Sequence, residues 1–289
     1  MLTLKKVAVI GSGTMGSGIA QWFCQQNIAV FLIDKNLATV ESAKKRIHSS
    51  WDELLKKGKF QEQNIILFKN ILDGGLLDQI PQVDLVIEAI FEDLNLKQQL
   101  FSSLDKLVAK DCILASNTSS FLMKDIQEKL PAYRHPYFVG LHFFNPPVLM
   151  KLVEIIKAPK TAEELVEELK TFFNNKEKIP IVCIDSPGFV VNRLARHFYG
   201  ESLRISEELE ATEDSFKYID QTLMTCGGFK MGPFALMDLI GIDINLDVTT
   251  SVWNAFNQAE RFKPHLLQEE KVRNKHFGKK SKKGFYLYE

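Results

Sequence analysis

The sequence VAVIGSGTMGSGIA, residues 7–20, decides the fold of the first part of the chain. An apolar run ends at Gly11, and an apolar-periodic segment begins after Gly16. This pattern predicts a strand, a tight loop and a helix. The spacing of Gly11, Gly13 and Gly16 lets the loop turn sharply, approach a diphosphate closely and pack its helix on the strand. We therefore predict diphosphate contacts at the helix N-terminus from the loop residues Gly11, Ser12, Gly13, Thr14, Met15 and Gly16.

A carboxylate follows the next predicted strand. The apolar run 28–33 ends at Asp34, eighteen residues after Gly16. A carboxylate at this point accepts hydrogen bonds from the ribose hydroxyls of a dinucleotide and repels a 2′-phosphate. Glycines also mark ordinary turns, but together with Asp34 they predict NAD as the cofactor. Lys35 leaves NADP as the alternative.

The composition is that of an ordinary globular protein. The 289 residues allow one large domain or two smaller ones, and 36 basic residues balance 36 acidic ones. A net charge of zero gives no field that favours nucleic acid or an anionic membrane, so neither is expected as a partner. No apolar run approaches the length of a membrane span. We expect a cytoplasmic protein, or the mature form of an organellar one.

The four cysteines, at positions 24, 112, 183 and 226, are scattered and form no CxxC pair. This distribution argues against a metal site or a disulfide framework and is typical of a reducing compartment. We expect each thiol to be buried as a small apolar side chain.

The remaining pattern predicts an α/β fold with a Rossmann-type, largely parallel sheet, followed by an all-α C-terminal domain. We expect helices at 37–59, 93–110 and 162–174, and further strands at 65–68, 84–90, 112–115, 137–144, 152–156 and 180–184. From Pro187 onward the pattern is helical. The predicted domains are therefore 1–185, with a helical hairpin insertion after Asp34, and 186–289.

One histidine lies where chemistry is expected. His142 follows the apolar run 138–141 near the end of a predicted strand, and Glu154 lies twelve residues later on the next apolar segment. A lone strand histidine is more often structural, but a buried carboxylate is costly unless it is paired. His142 is the natural partner for Glu154. A carboxylate that holds one imidazole tautomer makes the arrangement of a general base.

Two polar groups are candidates for holding a substrate oxygen. Ser119 lies in the loop SNTSS at 116–120, and Asn192 follows Pro187-Gly188 at the start of a predicted helix. Turn chemistry and a helix-end contact are the ordinary roles of such residues. The spacing of these residues alone leaves both roles open.

The ordered motifs resemble those of the 3-hydroxyacyl-CoA dehydrogenase family in its short 3-hydroxybutyryl-CoA form. Beside residues 7–20, the resemblance is carried by SNTSS at 116, GLHFFNPP at 140, MKLVEII at 150, SPGFVVNRL at 186, GPFALMDLIG at 232 and FGKKSKKGFYLY at 277. The motifs span nearly the whole chain. They are far more specific together than a glycine loop alone.

The resemblance implies roles for individual residues. His142 is the expected general base, Glu154 its orienting partner, and Ser119 and Asn192 the groups that hold the substrate 3-oxygen. The nicotinamide contacts implied by the family are Glu92, Lys97, Ser119, Asn145 and Lys280. The rest of the lysine-rich stretch 271–283 is expected to be a solvated tail. Ser50 and Lys57, on the helical hairpin after Asp34, are the implied CoA contacts.

The resemblance implies NAD-dependent interconversion of (S)-3-hydroxyacyl-CoA and 3-ketoacyl-CoA, with short acyl chains, in fatty acid oxidation or butyrate metabolism. It also implies a homodimer that pairs through the helical domain, no metal, and an acyl-CoA as the partner. Two alternatives stay open. One is a dehydrogenase of a free hydroxy acid or sugar acid such as gulonate, and the other is a crystallin-like protein that binds NAD without turnover.

Overall fold

The computed structural model describes residues 2–289 as two compact units, the first ending at Ser186 and the second comprising Pro187–Glu289. The first unit contains one sheet of eight strands. The strands are β1 (Lys6–Ile10), β2 (Ala29–Ile33), β3 (Leu72–Gly75), β4 (Leu85–Glu88), β5 (Ile113–Ser116), β6 (Phe138–Phe143), β7 (Leu152–Lys157) and β8 (Ile179–Ile184). The helices of this unit are α1 (Thr14–Gln25), α2 (Leu37–Lys56), α3 (Glu62–Asn70), α4 (Leu94–Leu107), α5 (Met123–Ile126) and α6 (Glu163–Asn174).

The sheet has the strand order β3-β2-β1-β4-β5-β6-β7-β8. All neighbouring strands are parallel except β6 and β7, which are antiparallel. The chain order reverses between β1 and β4, so the loops that follow these two strands diverge and leave a crevice at the carboxyl edge of the sheet. This edge, at which β1, β4, β5 and β6 end, is called the carboxyl edge below. The predicted α/β fold class is confirmed.

The glycine loop forms because two of its positions have no room for a side chain. Gly11 has a φ of +99°, and a Cβ atom there would lie 2.4 Å from the carbonyl oxygen of Ala89. A Cβ atom on Gly16 would lie 1.7 Å from the carbonyl oxygen of Gly11. Since side chains at these positions would collide with backbone, only glycine lets α1 pack this closely on β1.

The prediction of a strand at 65–68 is wrong. These residues lie in α3, and the third strand is Leu72–Gly75. Ile65 and Phe68 are buried on one face of α3, whereas Ile66 is 54% exposed. A four-residue apolar run does not distinguish a strand from a helix face. The third strand has the sequence LDGG, which is typical of a turn.

The second unit is helical. Its helices are α7 (Val191–Glu208), α8 (Glu213–Thr225), α9 (Pro233–Ile240), α10 (Ile242–Ala255) and α11 (Leu266–Arg273). Their shared core includes Leu203, Phe216, Phe234, Met237 and Phe285. Within residues 2–289, no helix is long and apolar enough to cross a membrane.

The residues that follow the lysine-rich stretch 271–283 pack against α9, whereas Lys275, Lys279, Lys282 and Lys283 are exposed, as expected of a solvated surface. Asp238 of α9 accepts hydrogen bonds from the amides of Phe285 and Tyr286, each at 3.0 Å, and from the Tyr288 hydroxyl at 2.9 Å. A Cβ atom on Gly284 would lie 2.0 Å from Asp238 Oδ1. The segment therefore closes around this carboxylate, which ties the motif at 232 to the motif at 277.

The cysteine prediction holds at three positions. None of the four cysteines, all within residues 2–289, forms a disulfide, and those at positions 24, 112 and 183 are buried. Cys226 is exposed, where burial was predicted, because it immediately follows the last turn of α8.

Candidate active site

The antiparallel pairing of β6 and β7 brings His142 and Glu154 together. The two residues are direct partners in the strand register. His142 Nδ1 lies 2.6 Å from Glu154 Oε2. Glu154 is fully buried and His142 is 7% exposed. A carboxylate accepts a hydrogen bond from the protonated Nδ1, so the proton-accepting nitrogen of the neutral ring is Nε2.

Neighbouring side chains hold this pair from two sides. The Sγ atom of buried Cys183, on β8, lies 3.8 Å from Glu154 Oε1. The ring of Phe144 lies 4.6 Å from the imidazole, centroid to centroid. The pair is therefore fixed by the sheet and by packing, and it lies near the end of β6 at the carboxyl edge.

The glycine loop and Asp34 form a second part of this edge. Asp34 Oδ2 accepts hydrogen bonds from the Ser12 amide at 2.7 Å and from Ser12 Oγ at 2.6 Å, and its Oδ1 accepts from the Lys35 amide at 2.7 Å. Burial acts to raise the pKa of Asp34, but these hydrogen bonds outweigh it and the pKa lies below its usual value. The carboxyl is therefore ionised at neutral pH.

The loop fits the diphosphate of a dinucleotide. Gly13, the residue before α1, provides no side-chain cap for the helix, and no acidic residue lies in the first turn. A Cβ atom on Gly13 would meet nothing within 4 Å, so the space above the loop is open. Beside Asp34 and Lys35 lies a cavity of about 340 Å³, which Leu76, Leu77 and Leu107 help to line. Uncapped amides and open space suit an anion at the helix N-terminus.

Glu92 and Lys97 lie beside the loop that carries Ser119. Lys97 is 1% exposed, and its Nζ atom donates to Glu92 Oε2 at 3.0 Å. Glu92 Oε1 accepts hydrogen bonds from the Ser119 amide at 3.2 Å, from Ser120 Oγ at 2.5 Å and from Thr118 Oγ1. Burial acts to raise the pKa of Glu92, but Lys97 and the two hydroxyls outweigh it and lower this pKa.

The other predicted residues occupy separate places. Asn145 is exposed just after β6, Ser50 Oγ accepts a hydrogen bond from Gln21 Nε2 at 3.0 Å, and Lys57 is exposed at the end of α2. In the second unit, Asn192 lies in the first turn of α7, and Lys280 Nζ donates to Asp243 Oδ2 at 2.6 Å.

Sequence reasoning missed three polar residues around this site. Glu88, at the end of β4, and Lys178 are almost fully buried. Asn117 Oδ1 accepts a hydrogen bond from the Phe143 amide at 2.8 Å, next to His142. Lys178 Nζ donates to the carbonyls of Pro147 and Met150, both at 2.5 Å, and burial lowers its pKa to about 8. The apolar context of Glu88 in DLVIEAIF was the available signal, since a buried carboxylate needs a partner.

Fold and site together define an NAD-binding oxidoreductase with a histidine and carboxylate pair. Two family models match the chain and support this class. The 3-hydroxyacyl-CoA dehydrogenase NAD binding domain matches residues 6–186, and the 3-hydroxyacyl-CoA dehydrogenase C-terminal domain matches residues 188–288. The chain belongs to the 3-hydroxyacyl-CoA dehydrogenase family. The predicted family, enzyme class and NAD cofactor are confirmed.

Individual relatives cover nearly the whole chain. The 3-hydroxyadipyl-CoA dehydrogenase of Escherichia coli is 40% identical over 99% of this chain, which spans 59% of that protein's length. The mitochondrial hydroxyacyl-coenzyme A dehydrogenase of Sus scrofa is 36% identical, with 99% of this chain and 92% of that protein covered. The crystal structure of (S)-3-hydroxybutyryl-CoA dehydrogenase from Ralstonia eutropha matches with a TM-score of 0.92 at 31% identity, over 99% and 100% of the two chains.

The geometry around Asp34 generates a prediction about cofactor choice. We expect Asp34→Ala to raise the dissociation constant for NADH about 10- to 100-fold, because hydrogen bonds to an ionised group are lost. NADPH should not become the preferred cofactor, because alanine supplies no cation for a 2′-phosphate. Both constants can be measured by fluorescence titration. Asp73→Ala, which removes a 76% exposed side chain on β3, is the control and should bind NADH normally. Tight NADPH binding by the unmodified protein would contradict the assignment.

Proposed function

We propose that the chain catalyses the NAD-dependent interconversion of (S)-3-hydroxyacyl-CoA and 3-ketoacyl-CoA, with short acyl chains. The observation that carries the proposal is the 2.6 Å contact between His142 and Glu154 at the same sheet edge as the glycine loop. The printed names of the relatives, which describe hydroxyadipyl-, hydroxyacyl- and hydroxybutyryl-CoA dehydrogenases, support it. NAD, when bound, supplies the acceptor for the hydride that leaves C3 of the substrate.

In this proposal His142 is the general base. Its Nε2 atom takes the proton of the 3-hydroxyl group as the C3–H bond breaks, and C3 becomes the carbonyl carbon. Glu154 Oε2, bound to Nδ1, stabilises the imidazolium that forms and keeps Nε2 directed at the substrate. In the reverse direction the imidazolium returns the proton to the developing alkoxide.

Ser119 and Asn192 are proposed to hold the substrate 3-oxygen. The Ser119 amide is fixed by Glu92, which leaves the position of this loop well defined. Asn192 is in the first turn of α7, where its carbonyl accepts a hydrogen bond from Arg196 Nε at 3.1 Å. Glu92, Lys97, Asn145 and Lys280 remain proposed nicotinamide contacts, and Ser50 and Lys57 proposed CoA contacts.

A turnover assay tests the proposal. We expect purified protein to oxidise NADH with acetoacetyl-CoA and to reduce NAD with 3-hydroxybutyryl-CoA. Free hydroxy acids, including gulonate, should be poor substrates. Good turnover of a free hydroxy acid with none of the CoA ester would contradict the proposal. NADH binding without any turnover would favour the crystallin-like alternative.

Substitution of His142 tests its proposed role as the general base. We expect His142→Ala to lower kcat by roughly two to four orders of magnitude, because a positioned general base contributes about that factor. NADH affinity should be almost unchanged. His135→Ala is the matched control in the same unit, since His135 Nε2 lies 3.1 Å from the Leu130 carbonyl oxygen and has no proposed role in the site. Equal losses of NADH binding and of turnover in His142→Ala would refute the assignment.

We place the reaction in fatty acid oxidation or butyrate metabolism, in the cytoplasm or, as a mature form, in an organelle. The four cysteines within residues 2–289 form no disulfide and three of them are buried, which suits a reducing compartment. The domain boundary is proposed at 185/186, with the helical domain contributing both to substrate binding and to dimerisation.

A homodimer is proposed because the helical unit leaves apolar surface uncovered. Between α7 and α8 lies a groove of about 300 Å³, lined by Phe198, Ile205, Tyr218 and Leu223 among others. Tyr218 is 65% exposed. Other large apolar residues of this unit, such as Phe216 and Phe234, are buried in its core and are not available for an interface. Exposed apolar patches of this kind commonly mark interfaces.

Light scattering tests the assembly. At micromolar concentration we expect a mass close to twice that of the 33.0 kDa chain. Tyr218→Glu should shift the mass toward that of a monomer, since it places a charge in the groove. Lys217→Gln, one residue away, changes the net charge equally but lies outside the groove lining and should stay dimeric. A monomeric mass for the unmodified protein would contradict the proposal.

A further inference from the structure

A fully buried carboxylate joins three parts of the first unit. Glu88, the last residue of β4, is 0% exposed. Its Oε1 atom accepts hydrogen bonds from Lys97 Nζ at 2.5 Å and from the Ile90 amide at 2.9 Å. Its Oε2 atom accepts from Ser116 Oγ at 2.6 Å. A charge in the core is tolerated only when it is paired and hydrogen-bonded, so Glu88 holds each of these partner groups in position.

The first connection runs toward the proposed nicotinamide contacts. Lys97 is 1% exposed, and its ammonium group lies between Glu88 and Glu92, at 2.5 and 3.0 Å. Glu92 in turn accepts the hydrogen bonds of the Ser119 amide and of Ser120 Oγ. Because Lys97 has two carboxylate partners, its charge does not have to be balanced by Glu92 alone. Glu92 is then available to accept hydrogen bonds from the Ser119 loop and from the cofactor.

The second connection runs toward His142. Glu88 and Ser116 are partners in the register of β4 and β5. The Glu88 carbonyl accepts a hydrogen bond from the Asn117 amide at 2.8 Å. Asn117 Oδ1 accepts from the amide of Phe143, the residue after His142. Asn117, which follows β5, thus links the ends of β4, β5 and β6.

We propose that Glu88 is a positioning residue, which neutralises and anchors Lys97 so that Glu92 and the Ser119 loop keep the geometry that binds the nicotinamide end of NAD(H). Because Glu88 is fully buried, its proposed effect on the cofactor passes through Lys97 and Glu92. The inference rests on the proposed function for the roles of Glu92, Lys97 and Ser119. The inference adds that those three roles depend on the buried carboxylate of Glu88.

The test is Glu88→Gln, which keeps the shape and most of the hydrogen bonds but removes the charge. We expect the NADH dissociation constant, measured by fluorescence titration, to rise about 10- to 100-fold, as for other lost interactions with an ionised group. The KM for acetoacetyl-CoA should change less than the NADH constant, because Glu92 and Lys97 are proposed cofactor contacts and only Ser119 of this cluster is also proposed to hold the substrate. An unchanged NADH constant would overturn the proposal.

Asp105→Asn is the matched control. Asp105 lies on α4, the helix that carries Lys97. It pairs at 2.6 Å with Arg134, which is 0% exposed. This substitution also removes one charge from a buried pair, but it lies away from the site. We expect it to lower the thermal unfolding midpoint without changing NADH affinity. Equal weakening of NADH binding in both variants would show that Glu88 acts only through stability and would overturn the proposal.

A double-mutant cycle with Lys97→Met tests whether Glu88 acts through Lys97. In the Lys97→Met background, Glu88→Gln should weaken NADH binding by no more than about threefold further, because the charge it neutralises is gone. Fully additive effects would contradict the proposal.

If Glu88→Gln does not fold, Glu88→Asp keeps the charge but shortens the side chain that reaches Lys97. It should weaken NADH binding by about three- to tenfold, and no weakening would overturn the proposal. The constants are measured without turnover, so an unmodified protein that binds NADH but does not reduce acetoacetyl-CoA would refute the proposed function alone.

Discussion

The site depends on the register between β6 and β7. In an antiparallel pair, a slip of one residue turns a side chain to the other face of the sheet. Such a slip would leave Glu154 buried without His142, at a cost of several kcal/mol by general estimates for an unpaired buried charge. The two residues are direct partners and form a 2.6 Å contact. The reversal of chain direction after β6 is therefore what turns an isolated strand histidine into a paired one.

The same unit contains other buried charges, and each is satisfied differently. Lys97 has two carboxylates, and Arg134 has Asp105 and several carbonyl oxygens. Lys178 has two carbonyl oxygens and the face of the Trp22 ring. The Lys97 cluster and the His142 pair both lie at the carboxyl edge of the sheet. Charges concentrated there are fixed by the fold before any ligand binds, which is the condition for electrostatic preorganisation.

The sequence predicted the features that rest on local rules. Glycine spacing identified the loop, and the end of the apolar run 28–33 identified Asp34 as a carboxylate beside it, because both depend on a few adjacent residues. The third strand was missed because LDGG has poor strand propensity and gains its place from pairing with β2. Glu88 was missed because its partners, Lys97 and Ser116, come from other elements. The packing of the C-terminal stretch around Asp238 was likewise invisible, because it depends on contacts about fifty residues apart.

The central claim is that Glu154 accepts a hydrogen bond from Nδ1–H of the neutral form of the His142 ring, which leaves Nε2 as the nitrogen that accepts a proton. Nitrogen-15 NMR of the imidazole, assigned by comparison with His142→Gln, measures this tautomer directly at neutral pH. The account predicts a protonated Nδ1 and an unprotonated Nε2, with the difference lost or reversed in Glu154→Gln. A neutral ring protonated at Nε2 in the unmodified protein would contradict it.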